Sequence, residues 1–398
     1  MLNLSRLLGA APASGPDLRY DRGIRHTRVG ALPGQGPVVV WNWTQSCNLR
    51  CEHCYASAVL GRVPGELDTA EAEAVLDTLT KMRVPALLLS GGEPLARPDA
   101  LHLLGVARQA GLRCTLSTNG TLIDERAAGA LAEVGVTYVG ISLDGPPELH
   151  DRWRGKTGAH AASLAGIRNL RRLGVRTGLR FTLNRHNVAH IPYLLDLAEA
   201  EGIGRVCFYH LVPSGRGESV ADLTLERQQS RAALDVILER TLGYVRSGRD
   251  MEILTVGNHA DGPYAYLWMR RHAPEAADEA WRLLQRNGGN RSGQGMVCLG
   301  PQGDLHPDQF SWDVRLGNIR QTPLPELWAG AATHPVLIEM RGSRRERITG
   351  RCSSCAWFDV CNGNLRARAR AAGDPWGSDP ACQLTDAELG HAPAAVVS

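Results

Sequence analysis

The 398-residue chain has almost no lysine: Lys81 and Lys156 stand alone, so 42 of its 44 basic side chains are arginine. It has four phenylalanines, and aromatic residues make up 5% of the whole. It has no long apolar run; Val38–Trp41 and Ala86–Leu89 fall far short of the roughly 20 residues that a membrane span needs. It has no excess of one charge, and a net formal charge of +3 over 44 basic and 41 acidic residues gives no electrostatic footprint for nucleic acid. The stretch Met1–Pro12 lacks the compact apolar block and small-residue cleavage pattern of a secretory signal. The expected location is therefore cytoplasmic, with no membrane and no nucleic acid as partner. In that reducing compartment the ten cysteines point to metal or catalysis rather than disulfides. Base composition accounts for an arginine total of this kind, while individual guanidinium forks suit the gripping of carboxylates.

With 43% hydrophobic and 21% charged residues, the chain is long enough for two or three packed domains. Residues 1–35 read as an irregular arm with one short helix at Leu2–Leu8. From there, short β-type runs at Val38–Trp43, Ala86–Ser90, Arg113–Ser117, Tyr138–Leu143, Gly178–Leu183 and Val206–Leu211 alternate with helical patterns. The helices are expected at Thr69–Met82, Ala100–Ala110, Asp124–Val134, Ala161–Leu173 and Ile191–Glu201. This is an α/β pattern of parallel βαβ units over residues 36–250, a partial (β/α)6 barrel of TIM type, with polar and glycine-rich residues at the strand ends where such folds place their chemistry. Leu223–Val245 reads as one long helix. Residues 251–295 read as a bridge containing a helix at Pro274–Gln285. Residues 296–387 read as a small domain organised by cysteines rather than by a large core, and 388–398 as a tail.

Two cysteine sets stand out. Cys47-x3-Cys51-x2-Cys54 lies on the loop after the first strand. Three thiolates can wrap one corner of a metal cluster and leave one metal open, as a catalytic site requires. Zinc with His53 as the fourth ligand, or three buried thiols, are the plainer alternatives. Cys352-x2-Cys355-x5-Cys361, followed by Cys382, supplies four thiolates, enough to close a tetrahedral zinc site by geometry alone. Cys114, Cys207 and Cys298 read as buried thiols.

The first cysteine set resembles the signature of the radical S-adenosylmethionine (SAM) superfamily. Other motifs fall where that family has them: Ser90-Gly91-Gly92-Glu93-Pro94, Ser117-Thr118-Asn119-Gly120, and Gly140-Ile141-Ser142-Leu143-Asp144-Gly145 followed by Arg154. The resemblance implies that Cys47, Cys51 and Cys54 hold a [4Fe–4S] cluster whose open iron binds SAM. One-electron cleavage then yields a 5′-deoxyadenosyl radical. It also implies SAM contacts from Gly91, Gly92, Glu93, Asn119, Ser142, Arg154 and Leu211. The C-terminal set resembles the SPASM extension, also called SPASM/twitch-like, and implies one auxiliary [4Fe–4S] cluster on Cys352, Cys355, Cys361 and Cys382. A full extension would need further cysteines at Leu365 and near Thr322.

Further segments resemble the NirJ family, the radical SAM proteins of haem d1 biosynthesis. Among them are Pro37–Asn42, Val84–Leu95, Gly178–Thr182, His210–Gly217, Gly257–Gly262, Cys361–Asn364 and Gly373–Trp376. That resemblance implies removal of two propionate side chains from 12,18-didecarboxysirohaem, with a reductant such as flavodoxin or ferredoxin as partner. A tetrapyrrole with several carboxylates needs cations and proton-transfer groups. The candidates are Arg180, Arg216, His210, His259, His306 and Asp308. The alternative enzyme is a SPASM-type maturase acting on a peptide or protein. An iron–sulfur electron carrier would leave the open triad and the glycine motif without a role.

Overall fold

The computed structural model describes residues 1–10, 19–20, 29–31, 34–329 and 334–390. One eleven-stranded sheet organises the molecule, in the order β1-β8-β7-β6-β5-β4-β3-β2-β9-β10-β11. The six expected strands are present as β2 (Val38–Asn42), β3 (Leu87–Ser90), β4 (Cys114–Thr118), β5 (Tyr138–Ser142), β6 (Thr177–Leu183) and β7 (Arg205–His210). Each pairs in parallel with the next. A parallel strand is covered on both faces, which is why these segments are apolar runs rather than alternating ones. Val39, Leu87, Leu89, Val139, Leu179 and Phe208 are fully enclosed.

Two further strands lie at the sheet ends. β1 (Leu2–Asn3) precedes a one-turn helix α1 (Leu4–Leu7), so the expected Leu2–Leu8 helix is a strand and a turn. β1 pairs antiparallel with β8 (Glu252–Val256), which itself extends β7 in parallel. At the other side β9 (Met296–Leu299) runs parallel to β2 and leads into an antiparallel meander through β10 (Asp304–His306) and β11 (Gly317–Asn318).

The helices that return the chain are α2 (Thr69–Lys81), α3 (Ala100–Gln109), α4 (Glu125–Val134), α5 (Pro147–Arg154), α6 (Ala159–Arg172), α7 (Ile191–Ala200) and α8 (Arg227–Arg246). Their ends follow from local chemistry. Asp68 and Glu71 close a capping box at α2, and the Asp124 side chain accepts from Ala127 N at α4. Gly135 takes a left-handed φ of 73° just past α4, a conformation that glycine adopts without steric cost. The long helix begins at Arg227 rather than Leu223, because Glu226 caps it and Gly215–Leu223 form tighter 3-10 turns. Residues 251–295 hold β8 and the helices α9 (Asp261–His272) and α10 (Pro274–Asn287). After β11 the chain runs in short helices around the second cysteine set. Of the expected tail, residues 391–398 lie outside the described residues. Among those described, no helix is long and apolar enough to cross a membrane.

Candidate active site

The cysteine loop is fastened on three sides. Against the end of β3, Gly92 N donates to Thr44 O at 2.7 Å and Glu93 N to Ser46 O at 2.8 Å. A Cβ on Gly91 would lie 2.4 Å from Thr44 O, and one on Gly92 2.2 Å from Ser46 O. These glycines are therefore required by the close approach of the loop's own backbone. Against the end of α5, Arg50 N and Glu52 N donate to Arg154 O and Trp153 O. From the segment after β7, Arg216 N donates to Cys54 O and Arg216 Nε to Cys51 O at 3.1 Å. Arg216, a candidate for substrate carboxylates, thus commits Nε and Nη1 to the carbonyls of Cys51 and Ala58, while its buried Nη2 has no hydrogen-bond partner.

Cys47, Cys51 and Cys54 open together on one cavity of about 350 Å³. Each sulfur has a donor aimed at it: Leu49 N to Cys47 at 3.4 Å, Ala58 N to Cys54 at 3.4 Å and Arg154 Nη1 to Cys51 at 3.6 Å. Burial pushes the Cys47 thiol up to about 12. A cation is the group that would hold these sulfurs as thiolates. Among the described residues, no three His, Cys, Asp or Glu side chains gather on a single metal-ion position. His53 stacks face to face on Trp153, with ring centroids 4.9 Å apart, and its Nδ1 is buried without a partner. Burial lowers its pKa to about 3. Three thiols, each with an N–H donor and all opening on one cavity, fit a multi-iron cluster with an open position.

The same cavity is walled by Gly91, Gly92, Asn119, Ser142, Arg154 and Leu211. Asn119 is oriented by Asn48 Oδ1 at 2.9 Å. Arg154 is buried, and its Nε and Nη2 bond Asp144 Oδ2 at 2.7 and 2.6 Å. Glu93 does not line the cavity. Fully buried behind it, its carboxylate accepts from Thr118 Oγ1 and Asn119 N at 2.7 and 2.8 Å, and so straps the ends of β3 and β4 together.

Arg180, His210, His259 and Asp308 also line the cavity. The Arg180 guanidinium lies 4.4 Å above the Tyr209 ring and has no carboxylate partner among the described residues. Asp308 accepts from Phe310 N and Ser311 Oγ through Oδ1, while its buried Oδ2 has no partner. His259 is also enclosed, and burial lowers its pKa well below 6.5. His306 lies elsewhere: its Nδ1 bonds Val314 O at 2.8 Å and its ring packs on Trp312, which makes it part of the β10 scaffold. Sequence reasoning missed Asp261, whose Oδ2 is 2.9 Å from His210 Nε2. Asp261 lies in the Gly257–Gly262 segment that carries the family resemblance, which was the available signal; nothing in the spacing of 51 residues pairs it with His210.

The second set converges as well. Cys352, Cys355, Cys361 and Cys382 all line a small cavity of about 20 Å³ beside Trp357 and Phe358. Burial raises Cys361, and raises Cys382 to about 11. Cys298 sits in β9, accepting from Asn42 Nδ2 at 3.3 Å, while Cys114 and Cys207 lie inside β4 and β7.

Comparison with known proteins gives a concordant picture. The family description "Radical SAM superfamily" matches residues 41–198. Fe-coproporphyrin III synthase of Methanosarcina barkeri is 43% identical, over 98% of this chain and 99% of that protein. Pre-heme d1 synthase of Dinoroseobacter shibae is 42% identical, over 89% of this chain and 88% of that protein. Among solved structures, Streptococcus suis SuiB bound to S-adenosylmethionine superposes with a TM-score of 0.68, covering 91% of this chain and 80% of that one. At 18% identity this last likeness is one of fold.

Proposed function

This chain belongs to the radical SAM superfamily, and we propose that within it the protein acts on an iron tetrapyrrole, removing two propionate side chains from 12,18-didecarboxysirohaem. The observation that carries the reading is the cavity. It opens on three thiols at one part of its wall and on Arg180, His210 and His259 at another. Identity of 42% over most of its length to an enzyme named for pre-haem d1 supports this substrate.

The family implies a [4Fe–4S] cluster and SAM. We assign the cluster to Cys47, Cys51 and Cys54, and SAM to the wall formed by Gly91, Gly92, Asn119, Ser142, Arg154 and Leu211. Together these groups supply, when bound, a 5′-deoxyadenosyl radical that takes a hydrogen atom from the substrate. The chain's own residues position and shield. Arg154 would address the SAM carboxylate and Ser142 would contact SAM, and Asp144 holds the Arg154 fork in one orientation. Arg180, stacked on Tyr209 and lacking an acid partner, takes a substrate propionate. Val212, Phe310 and Leu365 form an apolar patch on the wall, suited to the face of a macrocycle. Cys352, Cys355, Cys361 and Cys382 hold one auxiliary [4Fe–4S] cluster, and a flavodoxin or ferredoxin supplies electrons.

A second reading stays inside the same substrate class. Identity of 43% to an enzyme named for Fe-coproporphyrin III points to that product instead. One experiment separates the readings: anaerobically reconstituted protein is incubated with SAM, dithionite and didecarboxysirohaem, and the tetrapyrrole is followed by mass. Loss of two propionates is expected, with formation of 5′-deoxyadenosine. Appearance of Fe-coproporphyrin III would establish the second reading. An unchanged tetrapyrrole alongside turnover on a peptide would replace both with a maturase.

A further inference from the structure

The buried contact between His210 and Asp261 has no part in the assignments above. Asp261 opens α9 and is fully buried. Its side-chain hydrogen-bond partners are His210 Nε2 at 2.9 Å and Gln383 Nε2 at 3.0 Å, and only the histidine can carry positive charge.

Neighbouring hydrogen bonds orient the amides around this contact. Asn258 Nδ2 faces the carbonyl of Ala381, and Asn258 Oδ1 faces the backbone N–H of Ala260, so this amide has one orientation. Asn258 Nδ2 also donates to Gln383 Oε1 at 3.0 Å, which turns Gln383 Nε2 towards Asp261 as a donor. Asp261 Oδ1 is therefore an acceptor. Its Oδ2, the other oxygen of the carboxylate, receives the proton on His210 Nε2. The cavity is left with Nδ1, for which no protein partner is found among the described residues. A buried carboxylate is costly unless an opposite charge answers it, and the two cationic groups placed to answer Asp261 are the imidazole bonded to it and the Met1 ammonium, whose pKa burial lowers to about 5. An imidazole that answers this carboxylate through Nε2–H presents an Nδ1–H to the cavity.

We propose that His210 is a second carboxylate-binding residue of the substrate site, on the strand next to Arg180, and that Asp261 is its positioning residue, fixing both ring orientation and charge. The proposal rests on the tetrapyrrole reading. Two carboxylate donors, one on β6 and one on β7, would fix the orientation of a flat substrate as well as its presence. The partner carboxylate belongs to a propionate of the macrocycle or to SAM, and the two sources are separable.

The probe is Fe-coproporphyrin III as the free acid and as its tetramethyl ester, titrated against full-length protein by Soret absorbance, with SAM affinity measured in parallel. For the native protein the acid is expected to bind more tightly than the ester. Asp261→Asn keeps the volume and an acceptor but removes the charge, and should shrink the acid-over-ester preference by about tenfold, the worth of one hydrogen bond to a charged group. His210→Gln should do the same, and Asp261→Glu should restore part of the preference. A purely structural role would weaken acid and ester alike, and would overturn the proposal. So would an unchanged preference in Asp261→Asn, or a loss confined to SAM. Failure of the native protein to bind either probe would instead overturn the tetrapyrrole reading, and the proposal with it.

Discussion

Arg154 shows how much one side chain is asked to do. It is buried, it spends two nitrogens on Asp144 and a third on the Cys51 sulfur, and its backbone carbonyl ties the cysteine loop. Removing it strands a fully buried carboxylate. Arg154→Met should therefore cost about 3–5 kcal/mol in a denaturant titration, whereas Arg154→Met/Asp144→Leu should cost less than the single change. An additive double variant would show that the pair is not coupled. The neighbouring His150 makes a pH prediction. Its Nδ1 accepts from Asp144 N at 3.1 Å, and burial lowers its pKa to about 4. The unfolded chain takes up this proton near pH 6.5 and the folded chain only near 4. Stability is thus complete above 6.5 and is lost as pH falls towards 4, by roughly 3 kcal/mol in all. His150→Asn keeps an acceptor that does not titrate, and should flatten that limb of the stability profile. An unchanged slope between pH 6.5 and 4 would count against it.

At the scale of elements, the decisive joint is the one between β3 and the cysteine loop. A Cβ on Gly92 would meet backbone oxygen rather than a movable side chain. Gly92→Ala should leave the sheet folded while displacing residues 44–46. Iron held by the N-terminal cysteines should fall while iron at the C-terminal set persists, which Mössbauer or EPR signatures of the two clusters would resolve. Full iron loading at both sets would refute the role given to this joint. The strands on either side of it were readable from sequence because each is a buried apolar run closed by glycine or polar residues. α5 was not, because Pro147–Arg154 spans only eight residues with a single apolar pair, Leu149 and Trp153, although it carries Arg154. β1 is two residues long, too short for any period, and becomes a strand only because β8 offers it an edge. β8 was hidden for another reason: a five-residue strand between a long helix and a glycine turn looks like linker until its partner is known.

At the scale of the molecule, the two cysteine sets belong to one connected structure. β9 continues the sheet beyond β2, so the chain after residue 296 is joined to the αβ core by main-chain hydrogen bonds. Gly289 and Asn290 line the large cavity, and Asn290 N donates to Cys361 O at 3.1 Å, which sets a cysteine of the second set directly behind the cavity wall. A Cβ on Gly289 would lie 2.2 Å from that same carbonyl. The cysteine spacing made both sets visible, because Cys47, Cys51 and Cys54 and likewise Cys352, Cys355 and Cys361 are close in sequence, with Cys382 the one distant member. The wall between them was invisible, since it is assembled from residues far apart in the chain. Leu365 is part of that wall. It is the position at which the resemblance to a SPASM extension would call for a further cysteine, and it lies in an apolar patch with Val212 and Ala367. An additional cluster there would have to replace this patch, so the reconstituted protein should contain about eight irons per chain. Cys352→Ala/Cys355→Ala should retain about four, with SAM binding intact, because the N-terminal thiols are held by β3, α5 and Arg216 rather than by the second set. About twelve irons in the native protein would place a third cluster against the Leu365 wall and remove the apolar surface assigned to the macrocycle. About four in the native protein, unchanged in the double variant, would leave the C-terminal cysteines without iron and return them to zinc.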